Sequence, residues 1–253
     1  MDDKPPFYQA LVIGQKYGDE PELRVKDWKT EHTISDLGFM DDQMKRETMA
    51  IYYGMVSQVD HHVGRILDYM EANRLMENTM IVFTSDHGDY MGNHGMFWKG
   101  LPAYEDVHRV PFIAVHPQCR TPGAKSDAIQ SLVDLPATFL HSVGIGVPAG
   151  YQGVVQEDAW TDAGESGRDW AMVEFRPTES PFMQKTYVNK RYKLVVYHQR
   201  EYGELYDLQA DPQQYFNLWN NPHYREIRLE LLCGLISAEM EKDGKLLPRM
   251  AIA

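Results

Sequence analysis

The chain predicts an α/β fold, a largely parallel sheet flanked by helices, followed by a small α+β unit. Three observations predict it. Two short apolar runs rich in β-branched residues, 79–84 and 111–116, read as strands covered on both faces. An amphipathic helix precedes the first run and another follows the second, as layered α/β domains require. A stretch with six glycines, 144–167, then separates these signals from shorter strands and a final helix.

Taken in order, residues 7–13 (FYQALVI) form an apolar run ended by Gly14 and read as a buried strand. The polar, aperiodic segment to about Gly38 reads as a long loop. Asp41 or Asp42 caps a helix running to about Asn73, in which Ile51, Met55, Val59, Val63, Ile66 and Met70 recur at spacings of three and four and predict a core-facing side. After the strand at 79–84, residues 85–100 hold four glycines among polar side chains, a loop at the strand's carboxyl end. In parallel α/β sheets ligands bind outside that end. The strand at 111–116 and a helix at 132–143, its start marked by Asp134 and Pro136, complete the first part. Residues 170–175, 185–197 and 204–208 read as strands, and 224–241 as a helix with Ile227, Leu231, Leu235 and Ile236 on one side.

Composition excludes several classes. Among 253 residues, 25 basic against 37 acidic side chains give a net charge of −12, which argues against nucleic acid as a partner. No apolar run reaches the roughly 18 residues a membrane crossing needs. The start, MDDKPP, has no basic and apolar secretory pattern, so a cytoplasmic location is the default expectation. Cys119 and Cys233 are the only cysteines; they exclude a disulfide framework and read as ordinary thiols, with one bridge between them left open.

The chemistry concentrates in 84–95, TSDHGDYMGNHG, where Asp86, His87 and His94 share one strand-end loop. Carboxylate and imidazole together form a partial shell for a divalent cation, and the glycines let the backbone turn tightly. The same residue types also cap neighbouring backbone groups, and two ligands do not close a site. Lys99 follows between Trp98 and Gly100. Its ammonium suits an anionic substrate beside a metal, though an isolated lysine is most often a solvated one. His61, His62 and His116 read as surface or packing residues.

These motifs resemble, in order and spacing, the second half of the sulfatase family of the alkaline-phosphatase-like superfamily. The resemblance is carried by the run TSDHG at 84–88, by Trp98-Lys99-Gly100, Tyr104-Glu105 and Arg109-Val110-Pro111. It extends to the helix segment at 52–64, to 132–138 (LVDLPAT), and to Tyr192-Lys193-Leu194, the run LYDL at 205–208 and Asp211-Pro212. It implies an alkaline-phosphatase-like sheet, incomplete on its N-terminal side, with residues 1–150 as the C-terminal part of the catalytic domain and 168–253 as a small α+β subdomain. It implies metal-dependent hydrolysis of sulfuric esters, with Asp86 and His87 as ligands of a divalent ion, calcium foremost and magnesium or manganese as alternatives. Lys99 matches the lysine that binds the sulfate group and steadies the leaving oxygen; His94 lies near the site in such relatives and is the weaker substrate contact.

The departures are specific. The Cys/Ser-x-Pro-x-Arg motif that yields the family's formylglycine nucleophile is absent from this sequence. Residues 7–13 look like the strand that leads to a Pro-His-x-Pro segment in the family, but Gly14-Gln15-Lys16-Tyr17 follow it here. The resemblance therefore implies a small-molecule sulfate ester as substrate, with negligible turnover by this chain alone. The alternatives are a phosphodiester or phosphonate monoester hydrolase of the same superfamily and a truncated, non-catalytic remnant. An incomplete sheet would also leave apolar surface bare, so self-association is expected.

Overall fold

The computed structural model describes residues 3–5, 41–176 and 183–244; the expected strand at 7–13 and the loop after it lie outside these. Two compact units divide the chain, Asp3–Pro117 and Gln118–Ala253. The glycine-rich stretch 144–167 is thus internal to the second unit.

In the first unit, helix α1 spans Asp42–Ala72, and the Asp41 carboxylate accepts the Met44 N–H at 2.8 Å, satisfying one of the amides a helix start leaves free. It ends where Asn73 turns its side-chain amide back to the Tyr69 carbonyl at 2.8 Å. The apolar stripe is present, but none of its residues is buried: Ile51 is 66% exposed and Ile66 60%. The core-facing expectation therefore fails among the described residues, because periodicity specifies a face and not what covers it.

A short 3₁₀ turn, Met76–Asn78, leads to strand β1, Ile81–Thr84; helix α2, Glu105–His108, and strand β2, Phe112–Val115, follow. β1 and β2 pair antiparallel, from Ile81 opposite Val115 to Thr84 opposite Phe112. This corrects the parallel reading of these two runs. A parallel pair needs a crossover helix packed on the sheet, whereas residues 85–111 contain only a 3₁₀ turn, Asn93–Gly95, and the four-residue α2, and double back.

The second unit opens with helices α3, Asp134–Ser142, and α4, Glu157–Thr161. Asp134 does more than mark a helix start. Its buried carboxylate accepts the Ser131 and Val154 amides at 3.2 and 2.9 Å, the Gln156 side-chain amide at 2.9 Å and the Arg168 guanidinium at 2.6 Å. One acid thereby ties the middle and the carboxyl end of the glycine-rich stretch to α3. Removing one partner of such a buried pair typically costs about 3–5 kcal/mol, since the other charge is left unpaired.

Strands β3 (Trp170–Phe175), β4 (Gln184–Asn189), β5 (Tyr192–Tyr197) and β6 (Gly203–Asp207) form one antiparallel meander in chain order. The single strand expected over 185–197 is a hairpin. Asn189 Oδ1 accepts the amides of Arg191 and Tyr192 at 2.9 and 2.7 Å, an Asx turn that reverses the chain within two residues. After a 3₁₀ turn, Pro222–Tyr224, helix α5 (Arg225–Gly244) lays Leu231, Leu235 and Ala238 on Tyr187, Leu194 and Leu205. Gly234 makes this approach possible, since a Cβ there would stand 2.9 Å from the Tyr187 hydroxyl. Ile236, expected on the packed side, is instead exposed, one step round the helix from Leu235. Cys119 and Cys233 are both free thiols. No described helix is long and apolar enough to cross a membrane.

Lys185 and Lys242 bridge Glu174 on β3 and Glu239 on α5, fastening helix to sheet edge. Burial disfavours the Glu174 carboxylate, yet hydrogen bonds from Lys242 and Lys185 prevail and bring it from 4.5 down to about 2. A depressed acid stabilises the fold above its unfolded value and loses that contribution as pH falls. The difference in thermal midpoint between the wild type and Glu174→Gln should therefore be complete at pH 7 and close between pH 4.5 and about 2. Partial exposure keeps the effect small, under about 1 kcal/mol per pair.

Candidate active site

The site is built on the loop that follows β1. Asp86 stands first, its side chain 84% exposed, with His87 beside it and 3.5 Å between Asp86 Oδ2 and His87 Nε2. The His87 backbone N–H, donating to Asp86 Oδ1 at 3.0 Å, holds this carboxyl below its ordinary value. His87 Nδ1 lies 2.9 Å from the Gly88 carbonyl, an acceptor only, so the ring proton belongs on Nδ1. That leaves the Nε2 lone pair outward, as in an imidazole oriented for a cation. Lys99 returns from twelve residues further on and places Nζ 2.5 Å from His87 Nε2.

A small network makes that return possible. The Asp89 carboxylate accepts the amides of Met91 at 2.8 Å and Trp98 at 3.0 Å, closing the base of the loop. The Tyr90 amide donates to the Trp98 carbonyl at 2.9 Å, and the Gly92 amide to Met96 at 2.7 Å. The buried Tyr90 hydroxyl lies 3.0 Å from the Gly100 carbonyl and 2.5 Å from that of Pro102, fixing the chain on the far side of Lys99. Met96, Phe97, Ala103, Tyr104 and Val107 are buried with it, so the loop carries its own core.

Strain accompanies this compactness. Met91, His94 and Trp98 have φ of 47°, 55° and 69°, in the left-handed region that costs a side-chain-bearing residue about 1–2 kcal/mol. Burial of an aromatic such as Phe97 or Tyr104 contributes a comparable amount and offsets one such residue.

The predicted residues are thus divided. Asp86, His87 and Lys99 meet. His94 is placed in a different group: its ring stacks on Tyr104 with centroids 3.6 Å apart, and Nε2 lies 3.9 Å from Asp106 Oδ2. Asn93 donates to the same Asp106 carboxylate. Asp89 and Asp106 were not singled out by sequence. Asp89 carries one legible signal, an acid two residues before an amide in a glycine-rich loop, which is the Asx-turn pattern; Asp106 carries none. Among the described residues no group of three histidines, cysteines, aspartates or glutamates is placed to hold a metal ion. Asp86 and His87 nevertheless fit one as a pair: an exposed carboxylate beside an imidazole whose outward nitrogen is set by a backbone carbonyl.

A family profile described as Sulfatase matches residues 5–145, and one described as the C-terminal part of N-sulphoglucosamine sulphohydrolase matches 92–241. An arylsulfatase from Clostridium perfringens is 31% identical over 250 residues, covering 94% of this chain and 50% of that protein. The chain therefore spans half the length of that relative. A structure solved with its substrate, D-glucosamine-2-N,6-O-disulfate, aligns at a TM-score of 0.69 and 25% identity, over 83% of this chain and 48% of that one. The phosphonate monoester hydrolase of Agrobacterium radiobacter aligns at 0.72 and 25%, over 81% and 44%.

Gly88 joins the site to α2: its amide donates to the Val107 carbonyl at 2.9 Å, and a Cβ there would lie 1.9 Å from the Asp106 carbonyl oxygen. Gly88→Ala should force the loop away from α2 and destabilise the chain by about 1–3 kcal/mol, measured by urea denaturation.

Proposed function

Because the chain belongs to the sulfatase family, we propose that it supplies the metal-binding and leaving-group side of a sulfuric-ester hydrolase. One observation carries this reading: Lys99 Nζ, His87 Nε2 and the Asp86 carboxylate converge at 2.5 and 3.5 Å at a strand end. A carboxylate, an imidazole and a flexible ammonium side by side bind an anionic ester from both sides, through a cation and directly.

Asp86 and His87 would hold a divalent ion, calcium foremost and magnesium or manganese as alternatives. Such an ion, when bound, polarises the sulfuryl oxygens as a Lewis acid. The remaining work falls to the chain's own groups. The Gly88 carbonyl keeps the His87 proton on Nδ1 and leaves Nε2 an acceptor, engaged by Lys99 Nζ until an ion takes that place. Lys99 binds a sulfuryl oxygen and neutralises charge growing on the alcohol oxygen as the ester S–O bond breaks, an electrostatic contribution placed before the reaction begins. The structural likeness to a phosphonate monoester hydrolase supports a second reading, in which the same three groups serve a phosphonate ester. A phosphoryl or phosphonyl group presents comparable anionic oxygens, so a panel of both ester types discriminates.

The formylglycine motif is absent from the sequence, so these residues supply binding and charge neutralisation without a nucleophile. The purified chain should bind calcium no more tightly than about millimolar, as expected for a two-ligand site. Asp86→Ala should abolish that binding in calorimetric titration. Clear turnover of an aryl sulfate by the same preparation would contradict the reading.

The apolar stripe of α1 bears on partners. With Ile51, Met55, Val56, Val59 and Ile66 all at least half exposed, self-association of the isolated chain is expected. Light scattering should report a mass above 29.2 kDa, and a monodisperse monomer would count against it.

A further inference from the structure

Asp106 makes none of the contacts among Asp86, His87 and Lys99, yet the same loop grips both oxygens of its carboxylate. Asn93 donates its side-chain amide to Oδ1, and His94 brings Nε2 to 3.9 Å from Oδ2. The His94 ring, 8% exposed, lies flat on that of the buried Tyr104 at 3.6 Å, and its backbone is held at a φ of 55°, where a side-chain-bearing residue is strained. Strain that the surroundings over-determine in this way is a recurrent mark of functional sites.

What the grip secures is the contact between α2 and Gly88. The Asp106 carbonyl oxygen stands so close to Gly88 that a Cβ there would come within 1.9 Å, and the Val107 carbonyl accepts the Gly88 N–H at 2.9 Å. Gly88 in turn offers its own carbonyl to His87 Nδ1 at 2.9 Å. A glycine has the least backbone restraint of any residue, so the direction of that carbonyl is imposed from outside. α2 has only four residues and too few internal bonds to hold itself, so it needs anchors. The buried Val107 side chain is its apolar anchor and the Asp106 carboxylate a polar one.

We propose that Asp106 is a positioning residue: gripped by Asn93 and His94, it fixes α2 against Gly88 and, through the Gly88 carbonyl, holds the His87 ring in the orientation that a cation requires. The inference deepens the metal reading of Asp86 and His87. It rests on that reading only for its consequence in affinity, since the state of the His87 ring is measurable in the metal-free chain. Losing the group behind a metal-binding histidine commonly costs about 10–100-fold in affinity, and Asp106 acts one contact further back, so a loss of about three- to tenfold is expected.

The test uses the full chain with nitrogen-15 in its histidines. NMR at about pH 8, where imidazoles are ordinarily neutral, reads the His87 ring nitrogens and the exchange of the Nδ1 proton with water; titration of the same signals gives the calcium dissociation constant. Lys99 beside Nε2 favours the same tautomer, so proton exchange is the discriminating signal. The wild type should show a protected Nδ1 proton. Asp106→Ala should lose that protection and weaken calcium by about three- to tenfold. Asn93→Ala should move both readouts the same way by less, and it decides the matter if Asp106→Ala does not fold. Asp106→Asn keeps an oxygen for Asn93 and should recover most of both, whereas a direct charge effect on the cation would leave it as weak as the alanine variant. Phe97→Leu should lower the thermal midpoint by thinning the same core while His87 and calcium behave as in the wild type, a split that a merely structural role would not produce. An unprotected Nδ1 proton in the wild type, unchanged exchange in both alanine variants, or the same change in Phe97→Leu would overturn the proposal. A wild type that binds no calcium sinks the metal reading alone, and the Nδ1 exchange still decides the role of Asp106.

Discussion

The first unit depends on the Asp89 carboxylate. One acid accepts two amides seven residues apart, at Met91 and Trp98, and so closes a loop whose ends would otherwise separate. Everything chemically useful follows from that closure. Trp98 held at the base turns Lys99 back toward β1, and Tyr90, buried beneath, fixes the chain beyond it through the carbonyls of Gly100 and Pro102. Hydrogen bonds to an ionised acceptor are about twice as strong as neutral ones, which suits a carboxylate better than an amide or hydroxyl to a junction under strain.

A comparable device organises the second unit. Asp134 gathers donors from Ser131, Val154, Gln156 and Arg168, so a stretch rich in glycine is held by one buried charge where side-chain packing is scarce. The sheet is secured differently, by apolar contact between α5 and the inner residues of β4, β5 and β6 and by a lysine–glutamate bridge at its edge. On its other face Glu204 is buried and accepts from the hydroxyls of Tyr197 and Tyr206, so a carboxyl group that water cannot reach is hydrogen-bonded by the protein.

What the sequence made legible follows from what its signals encode. The cap at Asp41 and the stripe of α1 were readable because capping and a period of 3.6 act locally. The exposure of that stripe was not, because burial belongs to the surface opposite. β1 and β2 were readable as strands, while their antiparallel sense was hidden, since residue preferences do not encode direction. The length and glycine content of 85–111 held the better clue, a segment unable to cross over a sheet. The turn at Lys190 and Arg191 went unread because the Asn189 side chain makes it, with no glycine to announce it. At the site, the residue types of Asp86, His87 and Lys99 were readable. Their meeting was not, because it depends on Asp89, an acid that looks like any other polar residue of the loop.

The charges at the meeting point explain how such a site would work on the proposed reading. Asp86 contributes one negative charge, Lys99 one positive, and His87, with its proton on Nδ1, none. The sum is near zero, so neither a divalent cation nor a doubly charged anion is strongly drawn by this group alone. An ammonium about 4 Å from a bound dication repels it by roughly 2–8 kcal/mol between the dielectric of bulk water and that near a protein surface. An anionic ester between them turns both contacts attractive. Ion and ester should therefore favour each other's binding, and by thermodynamic reciprocity each raises the other's affinity by the same factor. The exposure of Asp86 fits the proposed reading: a carboxylate sealed by its own protein partners would have no oxygen left for a cation.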